Sequence, residues 1–268
     1  MGVAGDSKGR KKVGLALGSG IARGLAHIGV LQVLDREGIT VDMVTGTSIG
    51  ALVGALYAIG KTVDEILETA RALGSRRFNY LVDLNIPKTG LIRGRKIEER
   101  LKEFYGDSEF KDCVIPFKCV ATDIDSGKEV VIDEGLLWEA VRASISLPVI
   151  LAVASWKDKF LVDGALINPV PVNLLKQMGA DIVIAVNVIP DRSIRDATEP
   201  NIFDVVMQTL HIVGYYAVRE SLQEADVVLA PEVENFALTD FHRVDECVEK
   251  GVISTEAALP RIRQLLAE

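Results

Sequence analysis

Gly46-Thr47-Ser48-Ile49-Gly50 joins an apolar run, Val41 to Thr45, to a stretch from Ile49 to Ile59 that is apolar on nearly every face. A serine between two glycines at such a junction marks a sharp strand-to-helix turn, with glycine where side chains would collide. A helix without a polar face has to be covered on all sides. The chain must therefore build layers around that helix and a sheet, which is what an α/β domain does.

The remaining sequence follows the same alternation. Val13 to Leu17 reads as a buried strand, and Ala22 to Glu37 as a helix closed by Gly38. Thr62, with Glu65 three residues on, starts a capped helix to Leu73; 74–94 is irregular, and Arg95 to Tyr105 is helical. Phe117 to Thr122 and Glu129 to Ile132 read as a hairpin turning at Asp125-Ser126-Gly127. A helix over Leu136 to Ala143 precedes strands at Pro148 to Ala154 and Lys159 to Val162. Val172 to Met178 is helical, Ile182 to Val188 a buried strand, and Phe203 to Gln223 a long helix. Val227 to Ala230 is a last strand, and Val244 to Leu266 holds one or two closing helices. The expected organisation is a flexible basic tail over 1–12, then one domain over 13–268 with a helical cap at about 61–111.

Composition removes several function classes. With 30 Lys and Arg against 38 Asp and Glu, the net charge is −8, and no basic stripe is interleaved with aromatics, so nucleic acid is not an expected partner. An anionic membrane would have to be met by a local patch. Cys113, Cys119 and Cys247 form no pairing framework, and His27, His211 and His242 have no metal-ligand spacing. Reduced thiols, no metal and a cytoplasmic location are expected. The apolar run after the basic start is broken by Arg23, unlike a secretory leader, and Asp6 stands where a myristoylation signal has Ser or Thr. Met43 to Gly60 carries no charge and approaches the length of a membrane span. Its four glycines and its Thr45, Thr47 and Ser48 fit a strand, turn and buried helix better.

Ser48 by itself is either a nucleophile exposed at the sheet edge or a helix cap. The loop Gly18-Ser19-Gly20-Ile21-Ala22-Arg23-Gly24 ends the first strand and offers backbone N–H groups to an anion, whether phosphate or oxyanion. The dinucleotide fingerprint is a poor match. Its third glycine comes one place late, at Gly24, and Asp42 begins the second strand where an acidic residue should end it. Asp163, taken alone, is a turn aspartate before Gly164.

These segments together resemble the bacterial patatin-like phospholipase family. The resemblance rests on the loop ending Ala22-Arg23-Gly24, on Ala26 to Leu31, and on the run from Gly46 to Ala58. It continues through Gly90 to Gly94, Ala143 to Pro148, Val162 to Ala165 and Asn168 to Pro171, in the family's order. It implies a three-layer α/β/α patatin-like fold with a mainly parallel central sheet and a small helical cap. It also implies a Ser-Asp dyad, with Ser48 as nucleophile on an elbow flanked by Gly46 and Gly50, and Asp163 as base. The oxyanion hole would be the loop of Gly18, Gly20, Ile21, Arg23 and Gly24. Such enzymes cleave fatty-acyl esters, including phospholipids and lysophospholipids, without a cofactor, in transient contact with a membrane surface.

One residue departs from the pattern. The family usually has glycine where this chain has Ile21, and a β-branched residue is costly if the position needs positive φ. Either the loop tolerates it, or the hole is distorted and the chain is a catalytically weak regulatory or lipid-binding protein. His27 reads as a buried structural histidine, and Arg76, Arg77, Arg93 and Arg95 as a solvated face ahead of a site that attracts a phosphate head group.

Overall fold

The computed structural model describes residues 10–75, 94–190 and 202–268. The first nine residues of the expected tail, Arg76 and Arg77, and Gly90 to Arg93 lie outside the described residues. One sheet contains strands β1 (Val13–Leu17), β2 (Met43–Thr47), β3 (Phe117–Asp123), β4 (Glu129–Ile132), β5 (Ala154–Trp156), β6 (Lys159–Asp163), β7 (Ile182–Val186) and β8 (Val227–Leu229). The α-helices are α1 (Ala26–Arg36), α2 (Ile49–Ala58), α3 (Val63–Ser75), α4 (Arg95–Tyr105), α5 (Leu137–Ser144), α6 (Val172–Met178), α7 (Ile202–Ser221) and α8 (Val244–Ala267).

The strand order is β5-β6-β3-β2-β1-β7-β8, with β4 added on β3. From β3 across to β8 every pairing is parallel, while the β3–β4, β3–β6 and β5–β6 pairings are antiparallel. Side chains of the central strands alternate between two cores. Val13, Leu15 and Leu17 of β1 and Ile182, Ile184 and Val186 of β7 join a large core with α1, α2, α3 and α8. Ala16, Val183 and Ala185 face the opposite way, against Leu175 of α6 and Val218 of α7. Helices thus cover both faces of a mainly parallel sheet, and the fold is a three-layer α/β/α sandwich. Burial on both faces is why β1 and β7 are written as continuous apolar runs.

The register on β3 decides what meets what. β4 pairs with Cys119 to Thr122, overlapping both the β2 pairing at Phe117 to Val120 and the β6 pairing at Ala121 to Asp123. A strand has two edges, so β4 takes one, and β2 and β6 share the other. Thr47 at the end of β2 lies opposite Val120, and Asp163 at the end of β6 lies opposite Ala121. Two strands far apart in sequence therefore finish head to head on one edge of β3.

The capping box at Thr62 is present, with Glu65 accepting from the Thr62 amide at 2.9 Å and Thr62 Oγ1 from the Glu65 amide at 3.2 Å. Two expectations need correction. The helix expected from Ala22 begins as a 3-10 turn, Ile21–Leu25, before α1. There Gly24 presses on Ile49, whose side chain a β-carbon would overlap. The strand expected at Pro148 to Ala154 is mostly turn; only Ala154 belongs to a strand. The amides of Ile150 and Leu151 donate to the Leu147 carbonyl instead of to a neighbouring strand, at 3.2 and 2.9 Å. Met43 to Gly60 divides into β2, the serine turn and α2, and among the described residues no helix is long and apolar enough to cross a membrane.

Candidate active site

Ser48 sits between β2 and α2 with φ 57° and ψ −123°, a conformation that non-glycine residues rarely adopt. Glycines make the turn feasible. A β-carbon on Gly50 would overlap the Leu17 carbonyl, and one on Gly46 would meet the Gly50 carbonyl. Held this way, Ser48 does not cap its own helix. Its hydroxyl donates instead to Oδ2 of Asp163 at 2.6 Å. The Ser48 amide donates to Ser144 Oγ at 2.9 Å, and that hydroxyl donates to the Val120 carbonyl at 2.6 Å, tying the elbow back to β3.

Asp163 is fixed from four directions. Oδ2 accepts from Ser48, and Oδ1 accepts from the Ala165 amide at 2.8 Å. Its own amide donates to the Ser146 carbonyl at 2.9 Å, and its carbonyl accepts from Thr122 Oγ1 at 3.0 Å. The residue is 2% exposed, and that burial pushes its carboxyl up to about 6, against the lowering effect of the two hydrogen bonds it accepts. A carboxylate near neutrality and a serine at hydrogen-bond distance make a chemically competent nucleophile and base.

The glycine-rich loop lies alongside. The Gly18 amide is spent on the Val186 carbonyl at 3.0 Å, that of Ser19 on Pro169 at 2.9 Å, and that of Arg23 on Gly20 at 3.1 Å. The amides of Gly20 and Ile21 have no acceptor among the described residues. Gly18 and Arg23, also expected in the oxyanion loop, have amides that are already paired. Ile21 has φ 51°, so the left-handed backbone of the loop is kept although the side chain is β-branched. Arg23 is buried, with Nε donating to the Phe236 carbonyl at 2.9 Å, which anchors the loop from behind. Gly24 seats the loop on α2.

Beside Ser48 opens a cavity of about 820 Å³. Its walls are apolar and come from Leu25 and Ile28, from Leu52 and Leu56 of α2, from Ile66 and Ala70 of α3, from Ile97, Leu101 and Phe104 of α4, and from Leu147 and Ile150. Arg71, Arg100, His242 and Asp245 supply its polar lining. The cavity, the serine and the carboxylate share one space.

A model of the family described as patatin-like phospholipase matches residues 15–176, more than half of the chain. The chain belongs to the patatin-like phospholipase family. It is 38% identical over 193 residues to an uncharacterized NTE family protein of Mycobacterium tuberculosis, covering 71% of this chain and 53% of that one. It is 29% identical over 281 residues to lysophospholipase NTE1 of Debaryomyces hansenii, covering 95% of this chain and 18% of the relative. The chain thus spans under a fifth of the yeast protein and about half of the mycobacterial one. Among solved structures, VipD from Legionella pneumophila matches with a TM-score of 0.51 at 13% identity, covering 96% of this chain and 67% of that one, a likeness of fold.

Within this patatin-like framework several polar residues matter that sequence reasoning left without a role. Ser144 and Thr122 brace the elbow and the aspartate, and the carbonyls of Asn168, Pro169 and Pro171 accept from Thr47 Oγ1, the Ser19 amide and Thr45 Oγ1. Ser144 and Asn168 to Pro171 were visible as motif residues, but their hydrogen bonds depend on the tertiary fold. His27 is fully buried, its Nε2 2.7 Å from the Gly18 carbonyl, and burial holds its pKa down at about 4. It is neutral at ordinary pH and braces the loop. Among the described residues no group of three His, Cys, Asp or Glu converges as a metal site requires.

Proposed function

We propose that this chain is a lipid acyl hydrolase that cleaves fatty-acyl esters through an acyl-enzyme on Ser48, with Asp163 as base. The observation that carries the reading is the 2.6 Å hydrogen bond from Ser48 to a buried carboxylate that lines an apolar cavity of about 820 Å³. Ser48 Oγ attacks the ester carbonyl while its proton passes to Asp163 Oδ2. The charge developing on the carbonyl oxygen is met by the Gly20 and Ile21 amides and by the N-terminal end of α2. Asp163 returns the proton to the departing alcohol, leaving the acyl group on Ser48. Water then attacks the acyl-enzyme, losing its proton to Asp163, and the fatty acid leaves as Ser48 regains its proton. Every proton is carried by one carboxyl, so a carboxyl raised to about 6 suits both directions of transfer.

Phospholipids, lysophospholipids and neutral acyl esters all fit an apolar cavity with a polar rim. The relatives named as lysophospholipases support a phospholipid substrate. Transient docking at the inner face of the membrane, from the cytoplasm, is the corresponding location. Val149, 46% exposed next to the cavity residues Leu147 and Ile150, supplies an apolar contact for it.

Hydrolysis of p-nitrophenyl esters of rising chain length tests the reading. Wild-type hydrolysis that is lost in Ser48→Ala is the expected result. Equal rates in the two proteins would remove Ser48 as nucleophile.

A further inference from the structure

The geometry points to Ile21 as the residue that restricts this site to unbranched acyl chains, by walling the space next to the reacting carbonyl. The inference rests on the hydrolase reading and goes beyond it to the class of acyl group accepted.

Ile21 carries a sec-butyl side chain on a backbone with φ 51°, where a β-branched residue is strained. Glycine would hold the same backbone without strain. Packing into the protein core does not explain the isoleucine, because its side chain is only partly buried, unlike its fully covered neighbours Ala22 and Leu25. The surface it does cover is the cavity, where it shares the lining with Ser48 and Asp163.

The Ile21 amide is one of two in the loop with no acceptor among the described residues, and the side chain springs from the same Cα. A carbonyl oxygen bound by that amide brings the acyl α-carbon close to the sec-butyl group. Ile145 and Leu147 line the same cavity. A linear chain passes the sec-butyl group into the cavity, whereas a methyl branch at the α-carbon meets it. Strain at Ile21 is thereby tied to a function.

The test compares kcat/KM for p-nitrophenyl esters of equal carbon number, one straight and one methyl-branched at the α-carbon. It uses wild type, Ile21→Gly and Ile21→Asn, since asparagine also tolerates left-handed backbone. Wild type is expected to prefer the straight ester by about tenfold or more, and the preference should shrink about tenfold in both variants. The ratio is the readout, because absolute rates also report the amide's place in the loop. Either a wild type that hydrolyses both esters equally well, or variants that keep the wild-type ratio, would overturn the inference. If Ile21→Gly is inactive, the wild-type ratio and Ile21→Asn still decide. A wild type that hydrolyses neither ester would overturn the hydrolase reading, and this inference with it.

Discussion

Burial sets the charged form of Asp163 against the stability of the fold. Burial raises its carboxyl to about 6 from the ordinary value of 3.8, so the folded state favours the protonated form. Its contribution to stability is therefore fully present below about pH 4 and is lost as pH rises through about 6. At pH 8 the buried charge costs on the order of 2–3 kcal/mol relative to a neutral group. Asp163→Asn should accordingly raise the urea unfolding midpoint at pH 8, by an amount that shrinks as the pH falls toward 5. The same substitution should lower kcat by about 10²–10⁴-fold, because an amide takes no proton from Ser48. In wild type, kcat/KM should rise with pH through about 6 as the carboxylate forms, and a flat profile from pH 5 to 8 would count against Asp163 as base.

At the scale of elements, the serine turn depends on where backbones cross. α2 starts directly over the end of β1, and Gly50 lies against the Leu17 carbonyl with no room for a β-carbon. That neighbour is main chain in a central strand and cannot swing away. Gly50→Ala should therefore destabilise by roughly 1–3 kcal/mol and displace Ser48 from Asp163. A β-carbon on Gly54, one turn on, has side chains as its nearest neighbours, those of Val44, Phe117 and Leu17 at 3.1, 3.2 and 3.5 Å. There the better helix propensity of alanine, worth about 1 kcal/mol, offsets the crowding, and Gly54→Ala should be near neutral. Denaturant unfolding of the two variants side by side checks both expectations. The turn from Asn168 to Pro171 works in the same way from the other face, holding β2 and the glycine-rich loop through backbone carbonyls that no side-chain change can remove.

For the molecule as a whole, the cavity is a joint product of elements that contact one another only in the tertiary fold. α3 and α4 complete walls begun by α1 and α2, and Arg142 of α5 is ion-paired to Glu98 of α4 at 3.4 Å while donating to Ser146 Oγ at 2.6 Å. The cavity wall is small at Ala70. A larger residue there should shorten the acyl chain that fits. Ala70→Phe is expected to move the ester chain-length optimum downward, with kcat/KM falling about fourfold for each CH₂ group no longer buried. An unchanged optimum would place the acyl chain elsewhere.

Much of this protein was legible before any coordinates. Apolar runs of strand length, the all-apolar α2 and the glycines at Gly46 and Gly50 specify local backbone, and local backbone is what sequence patterns encode. Family resemblance added the pairing of Ser48 with Asp163 as an expectation. Sequence did not disclose the turn at Pro148, since its apolar residues face a cavity and not a sheet, and both surroundings select the same side chains. Nor did it disclose which amides of the glycine-rich loop remain free, because Gly18 and Ser19 are spent on Val186 and Pro169, far along the chain. The meeting of Ser48 and Asp163 belongs wholly to the tertiary structure. It arises because β2 and β6 end at successive residues on one edge of β3, and register between distant strands is set by packing that no short stretch of sequence contains.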